Sequence, residues 1–331
     1  MPGYVAILTI LLISLAAGVC LYWGFRIEVK RVQARKYHLS TPDLPDFWQD
    51  KKILCWSDLH VGDGLPLDRL DYFLGLIRAE QPDLLLFVGD LSESADFFSP
   101  EERQAYLQSL AQLKDLAPLG LYAVRGNHDI ESQAAQDFFD QAMAAMGAQA
   151  LVNQSLTLHG LQLIGLDDAL YGQPDMATAC ADSQPDFAFT CAAAQASVSC
   201  QLGTLSPTKA CQKGPQSPGK TQESPEAPSC PVTQVPLRAQ LVLLHEPDPA
   251  GAYLQAGGFP VPTLFISGHS HRGQIRPFGL QLYRPCQAKH YNYGLYEFPQ
   301  ALGKLIVTAG LGTVGIPARF AAPPEYIVIQ L

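Results

Sequence analysis

Asp58-Leu-His60, Gly89-Asp90, Gly126-Asn-His-Asp129, His245 and Gly268-His-Ser-His271 are short polar groups, each set directly after an apolar run. Their side chains are Asp, Asn and His, the oxygen and imidazole donors that suit manganese, iron or zinc. Five of the chain's eight histidines fall in this set. An extended backbone places residues two apart on one side, so Asp58 pairs with His60 as a donor, and His269 with His271. The glycines let the backbone turn sharply where donors must converge. Any one of these fragments alone is ordinary, an Asp-x-His on a surface or a Gly-Asp in a turn. Taken in order, at the ends of successive strands, they point to a metal site.

The elements that must position these groups follow from the apolar pattern. Lys52–Trp56, Leu84–Val88 and Leu121–Val124 read as buried strands, each ending in polar residues. Between them, Leu67 to Ala79 has helical spacing, and Ser99-Pro-Glu-Glu opens a helix running to about Leu116. A further helix covers Ser132 to Met146. Ser155–Leu158 and Leu161–Leu166 read as an antiparallel pair around His159-Gly160. Strands at Leu241–Leu244 and Thr263–Ile266 end at His245 and at Gly268-His269, and others are expected near Gly279–Tyr283, Lys304–Thr308 and Tyr326–Leu331. Strand and helix alternate in the first half, so the chain is an α/β protein with its chemistry at the carboxyl ends of the strands. No internal repeat is visible.

The N-terminus has a different character. Tyr4 to Trp23 contains no charged residue, and about 20 helical residues span a bilayer core of roughly 30 Å. Tyr4, Tyr22 and Trp23 stand at its ends, where aromatic rings favour the interface. A cleaved signal peptide is disfavoured because no basic residue precedes the run. Arg26, Lys30, Arg31, Arg35 and Lys36 follow it against a single Glu28, which places everything after residue 25 in the cytoplasm. The expected organisation is a transmembrane helix at 1–25, a basic juxtamembrane linker at 26–49 and a catalytic domain at 50–331. An insertion rich in Cys, Pro and Ser interrupts that domain at about 172–236, with a weakly helical cap at 176–199. Five of the eight cysteines lie between 180 and 230, with no metal-type spacing, and in a reducing cytoplasm they are free thiols. The net charge of −9 offers no basic stripe for a phosphate backbone, so no nucleic-acid partner is expected.

The order D-x-H, G-D, G-N-H-D, H, G-H-x-H resembles the calcineurin-like metallophosphoesterases over about residues 50 to 331 outside the insertion. The resemblance implies a four-layer α-β-β-α sandwich, here preceded by one transmembrane helix. It implies two divalent ions, with manganese favoured over iron or zinc. Asp58, His60 and His271 would hold the first ion, Asn127, His245 and His269 the second, and Asp90 would bridge them. His128 would face the substrate phosphate as acid or charge stabiliser, with Asp129 orienting it. Two ions about 3.5–4 Å apart clamp a phosphoryl group and acidify the water that attacks phosphorus in line. Arg125 and Arg319 are weaker candidates for phosphate contact, while His38, His159 and His290 read as ordinary surface or loop histidines.

The N-terminal helix and the tail from Gly294-Leu-Tyr through Thr308-Ala-Gly-Leu-Gly312 to Pro323-Pro-Glu325 are similar to a membrane-anchored bacterial branch. That branch includes a UDP-2,3-diacylglucosamine pyrophosphohydrolase lineage of lipid A synthesis. The expected activity is hydrolysis of a phosphodiester or pyrophosphate in a small phosphorylated or lipid-linked substrate, at the inner (cytoplasmic) membrane. The alternatives are a phosphomonoesterase or cyclic-nucleotide phosphodiesterase with a soluble substrate, and a non-catalytic binding module on the same fold.

Overall fold

A computed structural model describes residues 2–39, 44–93, 95–181, 239–257 and 259–331. The expected insertion and its helical cap therefore lie outside the described residues from 182 onward, as do residues 40–43 of the linker.

Two six-stranded sheets face one another. The first runs β1 (Gln33–His38), β12 (Glu325–Gln330), β2 (Lys52–Trp56), β3 (Leu84–Val88), β4 (Leu121–Val124) and β5 (Gln149–Ala150). The second runs β10 (Gly294–Phe298), β11 (Gly303–Val307), β9 (Thr263–Ser267), β8 (Ala239–Leu243), β7 (Leu161–Gly165) and β6 (Gln154–Leu158). β2 through β5 are parallel in the first sheet. β11, β9, β8 and β7 are parallel in the second.

Strands with neighbours on both faces must be apolar throughout. In β3, Leu84, Leu86 and Val88 join a core between the sheets with Cys55, Leu163, Leu241 and Ile266. Leu85 and Phe87 point the other way, into a core shared with α2 (Leu67–Glu80), α3 (Pro100–Leu110) and α4 (Gln133–Met146). On the far side of the second sheet, Val242, Phe265 and Val307 pack with α5 (Met176–Ala181) and α6 (Pro247–Ala256). The layers are thus α-β-β-α. The start of α3 carries the expected cap, Ser99 and Glu102 forming a reciprocal capping box, and at the start of α4 Ser132 accepts from the Ala135 N–H.

α1 (Pro2–Tyr22) leaves the body with its side chains exposed from Tyr4 onward, and continues through short turns to Lys30. A 27-residue stretch from Tyr4 to Lys30 is long and apolar enough to cross a membrane. Two expectations need correction. Part of the stretch read as a linker is β1, which pairs in parallel with β12. Its alternation of exposed and half-buried residues is that of an edge strand, which its basic residues obscured. No strand forms at Gly279–Tyr283, where Pro277–Gly279 makes a single turn and Leu280, Leu282 and Tyr283 are exposed. The helix α6 and the strand β10 have no counterpart in the sequence reading. Pro247 and Pro249 suggest a loop, yet Pro247 is the first residue of α6, where a missing N–H costs nothing.

Leu86 has no exposed surface at the centre of the inter-sheet core. Leu86→Ala is expected to destabilise the chain by about 2–5 kcal/mol, read as a lowered midpoint in chemical denaturation with an unchanged slope.

Candidate metal centre

The parallel strands of both sheets bring their carboxyl ends to one edge of the sandwich. β2 delivers Asp58 and His60 there, β3 Asp90, and β4 Asn127 and His128. From the second sheet, β8 delivers His245 and β9 His269 and His271. The main chain stitches these ends together. The Asp58 N–H donates to Gly89 O at 2.9 Å, the His60 N–H to Asp90 O at 3.2 Å, and the Gly312 N–H to Asp58 O at 2.7 Å.

Expecting Asp58 with His60, and His269 with His271, to align through strand alternation is wrong in detail. All four lie past their strands with positive φ, 52°, 44°, 65° and 46°, and Asp90 shares the trait at 60°. Asp and His tolerate this left-handed region better than most residues, and its strain gathers where function over-determines the backbone. Gly126 is required for a different reason: a Cβ there would collide with the Asp90 carboxylate.

The side chains converge tightly. Asp58, His60 and His271 offer donor atoms within 4.8 Å of one another, and so do Asp90, His245 and His269. His271 Nε2 lies 3.4 Å from Asp58 Oδ1 and 3.1 Å from His60 Nε2. His245 Nε2 lies 3.0 Å from Asp90 Oδ2, and His60 Nε2 lies 3.6 Å from the same oxygen. Asn127 Oδ1 is buried with no hydrogen-bond partner. Such a set, with acceptors turned on acceptors and an orphaned carbonyl beside them, fits a divalent cation. His245 and His269 also have their outer ring nitrogens engaged, on Val88 O at 2.6 Å and Cys286 O at 2.7 Å, which leaves the other nitrogen of each for an ion.

Burial pushes His60 down to about 3 and His269 to about 4, and it holds His271 well below the imidazole range, with His60 and Arg319 adding to the effect. These rings are neutral and able to ligate. For His245 burial acts downward too, but the neighbouring Asp90 outweighs it and raises the ring well above its usual value.

Three expected roles change. Asp129 does not touch His128. It accepts N–H bonds from Asp90, Leu91 and Gly126, each at 2.8 Å, and so clasps the end of β3 to the end of β4. The carboxylate against His128 is Glu131, 3.2 Å from Nδ1. Burial lowers the His128 pKa, but Asp90 and Glu131 together raise it above the ordinary value. A carboxylate three residues after a histidine at a helical turn was the available signal for Glu131. Arg319, expected at the phosphate, is wholly buried behind His271. Its guanidinium donates to the carbonyls of Gly312, Ala322, Ala309 and Gly310 and lies 3.3 Å from His271 Nδ1. Arg125 is paired with Asp167 at 2.7 Å.

Above the donors opens a cleft of about 540 Å³. Asp90, Asn127, His128, His269 and His271 form its floor, and Leu170, Ile275, Leu282, Tyr283, Val314 and Ile316 its walls. The sequence reading missed these apolar walls entirely.

Residues 51–177 match the calcineurin-like phosphoesterase family. The chain is 26% identical to an uncharacterized metallophosphoesterase, YkuE, of Bacillus subtilis, covering 96% of this chain and 92% of the relative. It is 23% identical to a transmembrane protein with metallophosphoesterase domain of Danio rerio, over 98% of this chain and 62% of the relative. It is 29% identical to a UDP-2,3-diacylglucosamine pyrophosphatase of Chlamydia trachomatis, over 41% of each chain. Relatives from Campylobacter jejuni and Helicobacter pylori are likewise longer, the chain spanning 61% and 60% of their length.

Asp129→Asn would turn an amide N–H₂ or a weaker acceptor toward three backbone donors. It is expected to cost about 1–3 kcal/mol, seen as a lower melting temperature, whereas Glu131→Gln should leave stability nearly unchanged.

Proposed function

We propose, for a chain that is a member of the calcineurin-like metallophosphoesterase superfamily, a membrane-anchored hydrolase that cleaves a phosphodiester or pyrophosphate in an amphiphilic substrate. The supporting observation is the join between a buried Asp/His cluster and an apolar-walled cleft. A metal floor suits a phosphate, and apolar walls suit a ligand whose other half is greasy. The Chlamydia relative carries the name of an enzyme for such a substrate, and UDP-2,3-diacylglucosamine is the compound we favour.

Asp58, His60 and His271 would hold one divalent ion and Asn127, His245 and His269 a second, with Asp90 serving both. Manganese, iron and zinc all fit this donor set, and we favour manganese. When bound, such ions supply positive charge for the phosphoryl oxygens and lower the pKa of water.

The chain's own residues complete the site. His128 lies on the cleft floor with Asp90 and Glu131 favouring its protonated form, so it can neutralise a phosphoryl oxygen and hand a proton to the leaving oxygen. The His128 N–H donates to Asp90 Oδ1 at 3.0 Å, which ties the acid to the shared carboxylate. Asp129 keeps β3 and β4 in register beneath both. Arg319 fixes His271 from behind, away from substrate.

The Tyr4–Lys30 helix would anchor the protein in the inner membrane. Its basic flank favours a cytoplasmic catalytic domain, and the zebrafish relative is a transmembrane protein by name.

With UDP-2,3-diacylglucosamine and Mn²⁺ in detergent, the full chain is expected to release UMP. His128→Ala should lower kcat by about 10²–10⁴-fold while the bound metal, measured by elemental analysis, stays constant. Unchanged turnover in that variant would remove His128 from the chemistry. Failure of the native chain to release UMP while it cleaves a simple phosphodiester would keep the hydrolase and discard this substrate.

A further inference from the structure

Between Arg276 and Arg284 the chain turns its apolar side chains outward. Phe278 is 100% exposed, Leu280 64%, Leu282 68% and Tyr283 69%. The loop is braced from within: Arg276 Nη2 donates to Gly279 O at 3.2 Å, and Arg284 donates to Gln281 Oε1 at 3.1 Å and to Lys289 O at 2.9 Å. Its charge is unusual for this protein. No Asp or Glu occurs from Pro249 to Tyr296, where Arg272, Arg276, Arg284 and Lys289 all fall, although the whole chain carries −9. Exposed aromatic and aliphatic side chains interspersed along the chain with cations match the headgroup layer of an anionic bilayer, the nearest carboxylate, Asp248, being taken up by the Lys289, His290 and Tyr291 N–H groups.

The loop's place in the fold supports the same occupant. At its base, Ile275 bridges Phe320, the Arg276 N–H donates to Phe320 O at 2.8 Å, and the Phe320 N–H donates to Gln274 O at 3.0 Å. The other side of that segment receives the end of the apolar helix. The Arg319 N–H donates to Gly24 O at 3.1 Å, and the Ala322 N–H donates to Glu28 Oε1 at 2.8 Å. Glu28 is buried there and also accepts from Trp23 Nε1 at 2.8 Å. Residues 319–322 therefore hold the exit of α1 and the root of the loop side by side. Leu282 and Tyr283 in turn line the cleft above His269 and His271.

We propose that the loop 276–284 is a second membrane contact, seated in the headgroup layer of the bilayer that α1 spans, so that the cleft opens onto that leaflet. The inference rests on the reading of α1 as an anchor. It adds a route: an amphiphilic phosphoester slides in along Leu282 and Tyr283 with its apolar part still in lipid and its phosphate toward His128.

The test uses the full chain in vesicles of phosphatidylcholine and phosphatidylglycerol, with or without lipids brominated near the headgroup. The fluorescence that Phe278→Trp adds over the native chain is expected to be blue-shifted and quenched about twofold or more by bromine. Leu302→Trp, at the opposite end of β11, should be unaffected. If the chain floats with the vesicles yet Phe278→Trp is quenched no more than Leu302→Trp, the loop contact is wrong. If the chain does not float at all, the anchor reading fails and the loop contact falls with it. A Phe278→Ser/Leu280→Ser chain should hydrolyse a water-soluble chromogenic phosphodiester at the native rate but an acylated phosphodiester in vesicles about tenfold more slowly. Equal losses, or none, on the two substrates would also overturn the proposal.

Discussion

Two carboxylates, Asp58 and Asp90, are buried within 4.0 Å of three histidines, His60, His245 and His271, at the shared edge of two sheets. Charges removed from water are tolerated only when paired or bound to metal. Arg319 is the cation built behind this cluster, and its guanidinium is spread over carbonyl groups. The rest of the structure follows from supplying what that leaves lacking. Strand ends from both sheets must meet at one edge, the backbone must adopt left-handed turns at five donor residues, and glycine must stand where carboxylate and main chain nearly touch.

The same constraint ties the donor cluster to the apolar N-terminal helix. Arg319 supports His271 through one face of its segment, while its own N–H is accepted by Gly24 at the end of the apolar helix. Glu28, the one acidic residue in the basic collar, is buried and spent on Trp23 and Ala322. The end of the apolar helix is thus hydrogen-bonded directly to the segment behind the site. β1 continues this arrangement, carrying the chain from the helix directly into the first sheet beside β12.

Much of this was legible in the residues. The donor set lay at the ends of apolar runs because parallel strands present their carboxyl ends together, and the runs at 52–56, 84–88 and 121–124 were read with the bounds they have. The layer order followed from the resemblance in the motifs. What was not legible depends on contacts distant in sequence. Nothing local shows that Asp129 accepts from three N–H groups on two strands, or that Arg319 faces carbonyls and not a phosphate. β1 was hidden by its basic side chains, since an edge strand needs only one apolar face. The apolar residues at 278–283 have strand-like alternation, but they belong to a loop that projects from the body, so periodicity alone misassigned them.

We propose that Asp90 would serve two divalent ions at this edge. Counting ions per chain by native mass spectrometry tests it most directly, on the full chain loaded with Mn²⁺ and on His245→Ala and Asp90→Ala variants. Two ions in the native chain, one in His245→Ala and loss of tight binding at both positions in Asp90→Ala would agree with it. A single ion in the native chain, or two ions retained by Asp90→Ala, would contradict it.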